Sequence, residues 1–200
     1  EFFIDFETLN SNMNNVTIDN PNRDTQLIFL VGLGWQQDGE WDFKYFLAED
    51  KTISSEEELF NQFWKFVDEK VGNKNAKFYH WTHAEPSCYN KLLKRHQSNW
   101  PQINFLDLYK VFYQEPIVVK GALSFSLKAV AKALYKQKKI KTCWTDNNPC
   151  QNGFYAMILA YQAYDKKKKN NPVFDDIVKY NEVDCKVLWE ILTYLRENHI

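Results

Sequence analysis

Nine consecutive residues, Leu27–Trp35 (LIFLVGLGW), carry no charged side chain. The run is rich in aliphatic residues and is followed closely by Asp38-Gly39, a dipeptide suited to the positive backbone angles of a tight hairpin. Trp41–Leu47 then returns with alternating aromatic residues. The pattern predicts two antiparallel strands, and Phe2-Phe3-Ile4-Asp5-Phe6-Glu7 ahead of them predicts a third. A chain with this opening must cover an apolar sheet.

The rest of the sequence supplies the cover. Ser54 or Ser55, with acidic residues behind it, is expected to cap a helix to about Val71, with Leu59, Phe60, Phe63, Phe66 and Val67 on its inner stripe. Ala76–Trp81 and Ile103–Leu108 predict further strands, and Glu85–Gln97 a helix between them. Three more helices are expected, from Ser124 to about Tyr135, over Gly153–Tyr164, and from about Asp175 to Glu197, with Cys143–Asn152 as a polar loop. The Asn-rich stretch Thr8–Gln26 reads as a long loop, a kind that tends to be functional or mobile. Strands first, then alternating strand and helix, then helices, predict an α/β fold. Its mixed central sheet has antiparallel first three strands and helices on both faces. Residues 1–200 are expected to form a single domain, and the start on a residue other than Met suggests one excised from a longer polypeptide.

Composition narrows the function. Aromatic residues make up 16% and apolar residues 44%, which excludes a disordered chain. Lys and Arg number 25 against 26 Asp and Glu, which argues against a protein that coats polyanions with its whole surface. A nucleic-acid enzyme with its positive charge gathered at one cleft remains compatible. No apolar run approaches the length of a transmembrane helix, and the start shows no signal-peptide pattern, so no membrane partner is expected. Cys88, Cys143, Cys150 and Cys185 lack paired spacing and read as reduced thiols of an intracellular protein.

Three segments carry chemistry. In a strand, Asp5 and Glu7 face one way and Ile4 and Phe6 the other. Two carboxylates on one buried face repel unless a cation sits between them, and hard divalent ions prefer carboxylate oxygen; a solvated strand end is the alternative. In the last helix, Ile177, Tyr180, Val187, Leu188, Ile191 and Leu195 define a core stripe that also contains Asp184. A carboxylate there needs a hydrogen bond, an ion pair or a metal. In the third, Phe78–Pro86, a strand runs into a helix whose first turn holds Glu85; a carboxylate favoured by the helix dipole would satisfy the pattern equally. His80 and His83 lack a second ligand pair at zinc spacing.

Taken together, these segments resemble the DEDD (DnaQ-like) 3′–5′ exonuclease superfamily, whose fold is RNase H-like. Asp5-Phe6-Glu7 matches its first motif, D-x-E. Tyr180-Asn181-Glu182-Val183-Asp184 matches the Y-x-x-x-D motif of its tyrosine subclass. The stretch His80–Glu85 stands where the second motif usually ends in Asp, and here ends in Glu85. Phe29–Gly34 (FLVGLG), His80–Pro86, Leu106–Tyr109 (LDLY) and Gly121–Ala131 (GALSFSLKAVA) are similar to a narrower branch, the exonuclease domains found beside RecB-type nucleases and helicases and in some large DNA viruses.

The resemblance implies hydrolysis of phosphodiester bonds from the 3′ end of single-stranded nucleic acid, DNA favoured, with two divalent cations, Mg²⁺ or Mn²⁺. It implies Asp5, Glu7, Glu85 and Asp184 as metal ligands and Tyr180 as the residue that positions the attacking water. Partner domains of the same polypeptide would be a helicase, nuclease or polymerase, in the cytoplasm or, in a eukaryotic or viral setting, the nucleus or a viral factory. For substrate grip, Lys128, Lys132 and Lys136 recur every four residues and would either track a phosphate backbone or form a solvated helix face. Phe6 and Trp81 flank the motifs and would either stack on bases or pack in the core. Lys166–Lys169 reads as a solvated inter-helix loop. An endonuclease or resolvase on the same fold, and a non-catalytic nucleic-acid-binding module, are the alternative functions.

Overall fold

The computed structural model describes residues 1–10, 26–72, 76–165 and 171–199. These form β1 (Phe2–Asn10), β2 (Gln26–Gln37), β3 (Glu40–Leu47), α1 (Ile53–Val71), β4 (Phe78–His80), α2 (Ala84–His96), β5 (Phe105–Asp107), α3 (Leu108–Gln114), α4 (Leu127–Lys136), α5 (Gly153–Asp165) and α6 (Pro172–His199). The strands join in the order β3-β2-β1-β4-β5. The first three are antiparallel, as expected, and β4 and β5 add in parallel. The β2–β3 turn is tight because Asp38 and Gly39 both adopt positive φ, 52° and 88°. Parallel strands need long crossovers, and α1 and α2 provide them.

Strand periodicity divides β1 between two cores. Phe2, Ile4 and Phe6 pack with Phe60 and Phe63 of α1 and Tyr89 of α2. Phe3, on the other face, packs with Tyr79, Phe112 of α3, Val130 and Leu134 of α4, and Leu188 and Ile191 of α6. Helices therefore cover both faces, and β1 lies at the centre of the sheet. A register shift between Glu7 and Thr8 breaks the ladder with β2, which then resumes from Thr8 opposite Ile28 to Asn10 opposite Gln26.

Several expected boundaries move. β1 continues to Asn10 and β2 begins at Gln26, so strand pairing extends into the stretch read as a loop. Residues 11–25 and the Lys166–Lys169 run lie outside the described residues. Thr52, not Ser54 or Ser55, caps α1: its hydroxyl accepts the Ser55 N–H at 3.2 Å. The fourth helix begins at Leu127 with Ser126 as its cap, because the Ser126 side chain, rather than that of Ser124, accepts the Ala129 N–H. The short α3 is an addition: Asp107 accepts the Tyr109 N–H at 3.0 Å and starts a helix of 7 residues, too brief for a periodic signal.

One buried charge ties the first core together. Glu56 is 1% exposed on the inner stripe of α1. It accepts the Ile28 N–H at 2.7 Å and two hydrogen bonds from Arg95, at 2.8 and 2.9 Å, and lies 2.8 Å from His96 Nε2. Arg95 also donates to the Gln26 carbonyl at 3.1 Å, so α1, α2 and the start of β2 share one polar knot. Removing one partner of such a knot strands the rest. Glu56→Ala is expected to cost about 3–5 kcal/mol in urea unfolding, and Glu56→Gln clearly less.

Candidate metal centre

β1 and α6 build the site. Asp5 and Glu7 project from the β1 face that α6 crosses, and Asp184 meets them from the helix. One ligand oxygen from each of Asp5, Glu7 and Asp184 lies within 4.8 Å of the other two. Among the described residues no other group of three His, Cys, Asp or Glu side chains comes this close. Glu7 and Asp184 are 4% and 5% exposed, and Asp5 is partly buried. Three carboxylates so placed cannot all ionise cheaply. Burial, reinforced by the Asp184 charge, pushes the Asp5 and Glu7 carboxyls well above the usual range. Burial also pushes Asp184 up to about 7, against the pull of Lys128. The donor set is all oxygen, buried and mutually repelling, which fits a hard divalent cation.

The helix is seated by a close approach. Asn181, fully buried, donates from Nδ2 to Asp5 Oδ2 at 2.7 Å. Gly32 of β2 lies opposite Asp5 in the sheet, and a Cβ there would stand 1.7 Å from Asn181 Oδ1. The missing side chain lets α6 settle deeply enough for Asn181 to reach the carboxylate. Sequence reasoning passed over Asn181; its signal was its place beside Tyr180 in the Y-x-x-x-D stretch. Gly153, at the start of α5, also approaches the site: a Cβ there would lie 3.7 Å from Glu7 Oε2. The positive end of that helix dipole favours the Glu7 charge.

Tyr180 and Lys128 border the cluster. The Tyr180 phenol lies beside Asp184, and burial next to the three carboxylates raises its pKa far above the phenol range. Its hydroxyl stays protonated at neutral pH, available as a hydrogen-bond donor and not as a base. The Lys128 ammonium lies 4.7 Å from the Tyr180 ring centroid and 5.4 Å from that of Trp144, and it donates to the Gln151 carbonyl. Burial lowers the Lys128 pKa, while the Asp184 charge holds it up. Trp144 Nε1 is buried without a hydrogen-bond partner, and the indole lies near enough to favour the charged form of Asp184. A cavity of about 350 Å³ opens beside Tyr180, with Trp144, Asn148, Cys150 and Lys179 among its walls.

The other expected residues fall elsewhere. Glu85 is buried in the first turn of α2 but stands outside the group of three, with Oε2 3.3 Å from His80 Nδ1. Its charge is close enough to raise Asp5, Glu7 and Asp184. Lys132 and Lys136 are exposed, so the three lysines of the α4 stripe divide into one in the site and two in solvent. Phe6 and Trp81, weighed as stacking platforms for bases, require correction. Phe6 is packed against Phe60 on the opposite face of β1. Trp81 is 7% exposed, wedged against Tyr109 and Phe112, with its indole N–H given to the Phe125 carbonyl at 2.9 Å. Neither ring has a face free for a base. The four cysteines are free, and no described helix is long and apolar enough to cross a membrane.

A carboxyl whose pKa is higher in the folded than in the unfolded protein binds its proton more tightly when native. Metal-free stability must then fall as pH rises from about 4 to about 7. Asp184→Asn removes one ionising group, so its Tm should exceed that of the metal-free wild type at pH 8 and converge with it at pH 4. Each kcal/mol relieved corresponds to about 2–4 °C. A Tm difference independent of pH would contradict the repulsion.

A family model described as the RNase_H superfamily matches residues 2–196. No curated protein matches the chain. RNase H-like proteins are mostly nucleases that use divalent metals, and the Asp5, Glu7 and Asp184 group could hold one. With the match running almost end to end, and a mixed sheet whose central strand delivers two of these carboxylates, the chain belongs to the RNase H superfamily.

Proposed function

We propose that this chain is a 3′–5′ exonuclease of the tyrosine subclass of the DEDD superfamily, removing nucleotides from single-stranded nucleic acid, with DNA the favoured substrate. The observation that carries the reading is the pairing of the Asp5, Glu7 and Asp184 cluster with a buried Tyr180 phenol beside Asp184. Internal cutting needs no such phenol beside the helix carboxylate; a terminal phosphodiester held against it has a donor for its attacking water.

In this reading Asp5, Glu7 and Asp184 would hold two divalent cations, Mg²⁺ or Mn²⁺, with Glu85 adding its charge beside them. When bound, the cations supply acidity to a water molecule and charge to the leaving oxygen. Tyr180, always protonated, orients the water by donating one hydrogen bond. Lys128 pairs with a non-bridging oxygen of the scissile phosphate, using the ammonium that otherwise faces Asp184. The water oxygen bonds to phosphorus, the P–O3′ bond breaks, and a nucleoside 5′-monophosphate leaves. Asn181 touches none of these atoms and acts as a positioning residue for Asp5.

The test is a 5′-labelled single-stranded DNA or RNA oligonucleotide incubated with Mg²⁺, Mn²⁺ or EDTA. A ladder shortening stepwise from the 3′ end is expected, absent in EDTA and reduced roughly a thousandfold or more in Asp5→Ala and Asp184→Ala. Tyr180→Phe should lower kcat about a hundredfold with little change in KM. Discrete internal products would identify an endonuclease, and no products in either metal a binding module. The lysine has its own signature. Lys128→Met should weaken oligonucleotide binding and flatten the dependence of log Kd on log salt by about one unit or slightly less, whereas Lys136→Met should leave both nearly unchanged.

A further inference from the structure

Beyond the carboxylates, the segment after β5 carries an aromatic surface that the core does not use. Tyr113 of α3 is 62% exposed and stacks on Tyr109, with ring centroids 5.8 Å apart and planes 14° from parallel. Phe125 meets Tyr113 edge-on at 6.2 Å. The loop between them exposes Val118 at 81% and Leu123 completely. Aromatic rings in mutual contact at the surface, rather than scattered, mark a binding surface.

Both ends of this surface lead to the metal centre. Tyr109 packs edge-on against Trp81, the residue after His80, which is the partner of Glu85. Phe125 is held by its carbonyl to the Trp81 indole. Ser126 then caps α4, and Lys128, two residues further on, stands over Tyr180. Between Tyr109 and Lys128 the only charged residues are Lys110, Glu115, Lys120 and Lys128, a positive balance suited to a phosphate backbone. Stacked tyrosines offer a ladder that a base can extend whatever its identity. An apolar peptide would have no use for that charge or for the continuity with the carboxylates.

We propose that Tyr109, Tyr113 and Phe125 form a stacking platform for bases of a single-stranded nucleic acid, a few nucleotides from the end held at the carboxylates. The inference rests on the nuclease reading for the nature of its ligand. The platform adds grip that is independent of sequence and of metal, and it sets how much strand beyond the terminal nucleotide the protein must hold.

The experiment is fluorescence anisotropy with a labelled single-stranded oligodeoxynucleotide in EDTA, where no cleavage occurs, beside a strand of equal length with abasic spacers replacing its bases. Tyr113→Ala should weaken binding of the normal strand about tenfold, and Tyr113→Phe should bind like the wild type. The abasic strand should bind the wild type and Tyr113→Ala equally weakly. Tyr45→Ala, an exposed tyrosine on the opposite edge strand, should change nothing. Circular dichroism checks that each variant is folded. Undiminished binding by Tyr113→Ala, an equal loss with the abasic strand, or no binding by the wild type would each overturn the platform. The cleavage assay keeps the two readings apart. Cleavage with unchanged Tyr113→Ala binding removes the platform alone, and binding that depends on Tyr113 without cleavage in either metal retains it while removing the nuclease.

Discussion

Three carboxylates on facing sides of a strand and a helix repel one another, and the structure has to hold them together regardless. Asp5 and Glu7 are fixed by the alternation of β1, and Asp184 is brought onto them by α6. Without a cation, the opposing forces come from Lys128, from the start of α5 at Glu7 and from the hydrogen bond of Asn181 to Asp5. Together they leave the carboxyls with raised affinities for protons. A proton and a metal ion answer the same electrostatic demand, so the centre is tuned to accept positive charge in whichever form is offered.

That tuning depends on how closely helix and sheet approach. Gly32 and Asn181 meet where β2 lies under α6, and the amide uses the space that any side chain at position 32 would occupy. Asn181 Oδ1 has no hydrogen-bond partner there, an unsatisfied buried acceptor that the fold retains. The Nδ2 bond to Asp5 offsets part of that cost and fixes the rotamer of the carboxylate. Packing has been arranged around the direction in which one oxygen pair points.

Much of this was legible in the chain, for physical reasons that differ between elements. The β2–β3 hairpin is written locally, in an apolar run, an Asp-Gly turn and an alternating return. The shared faces of Asp5 with Glu7, and of Tyr180 with Asp184, follow from the periods of strand and helix alone. Asn181 was legible only as the neighbour of Tyr180, because it is Gly32 on a distant strand that makes that helix position deep. Glu56 was hidden for a related reason: a carboxylate on a core stripe is acceptable only with Arg95 and His96 across from it. Spacing could not separate Lys128 from Lys132 and Lys136, since what distinguishes them is the Trp144 loop folding over the first. Phe6 and Trp81 read as ambiguous because a strand end has the same pattern whether or not other elements close over it.

The two halves of the carboxylate cluster lie near opposite ends of the described chain. Asp5 and Glu7 are in the first strand, and Asp184 is in the last helix. Loop closure of this span is the slowest kind of contact to form. A polypeptide still being synthesised can therefore pair every strand of its sheet and remain without the cluster, since α6 has yet to emerge. Assembly of the centre is in effect a late checkpoint: its carboxylates meet only after both cores have something to close against.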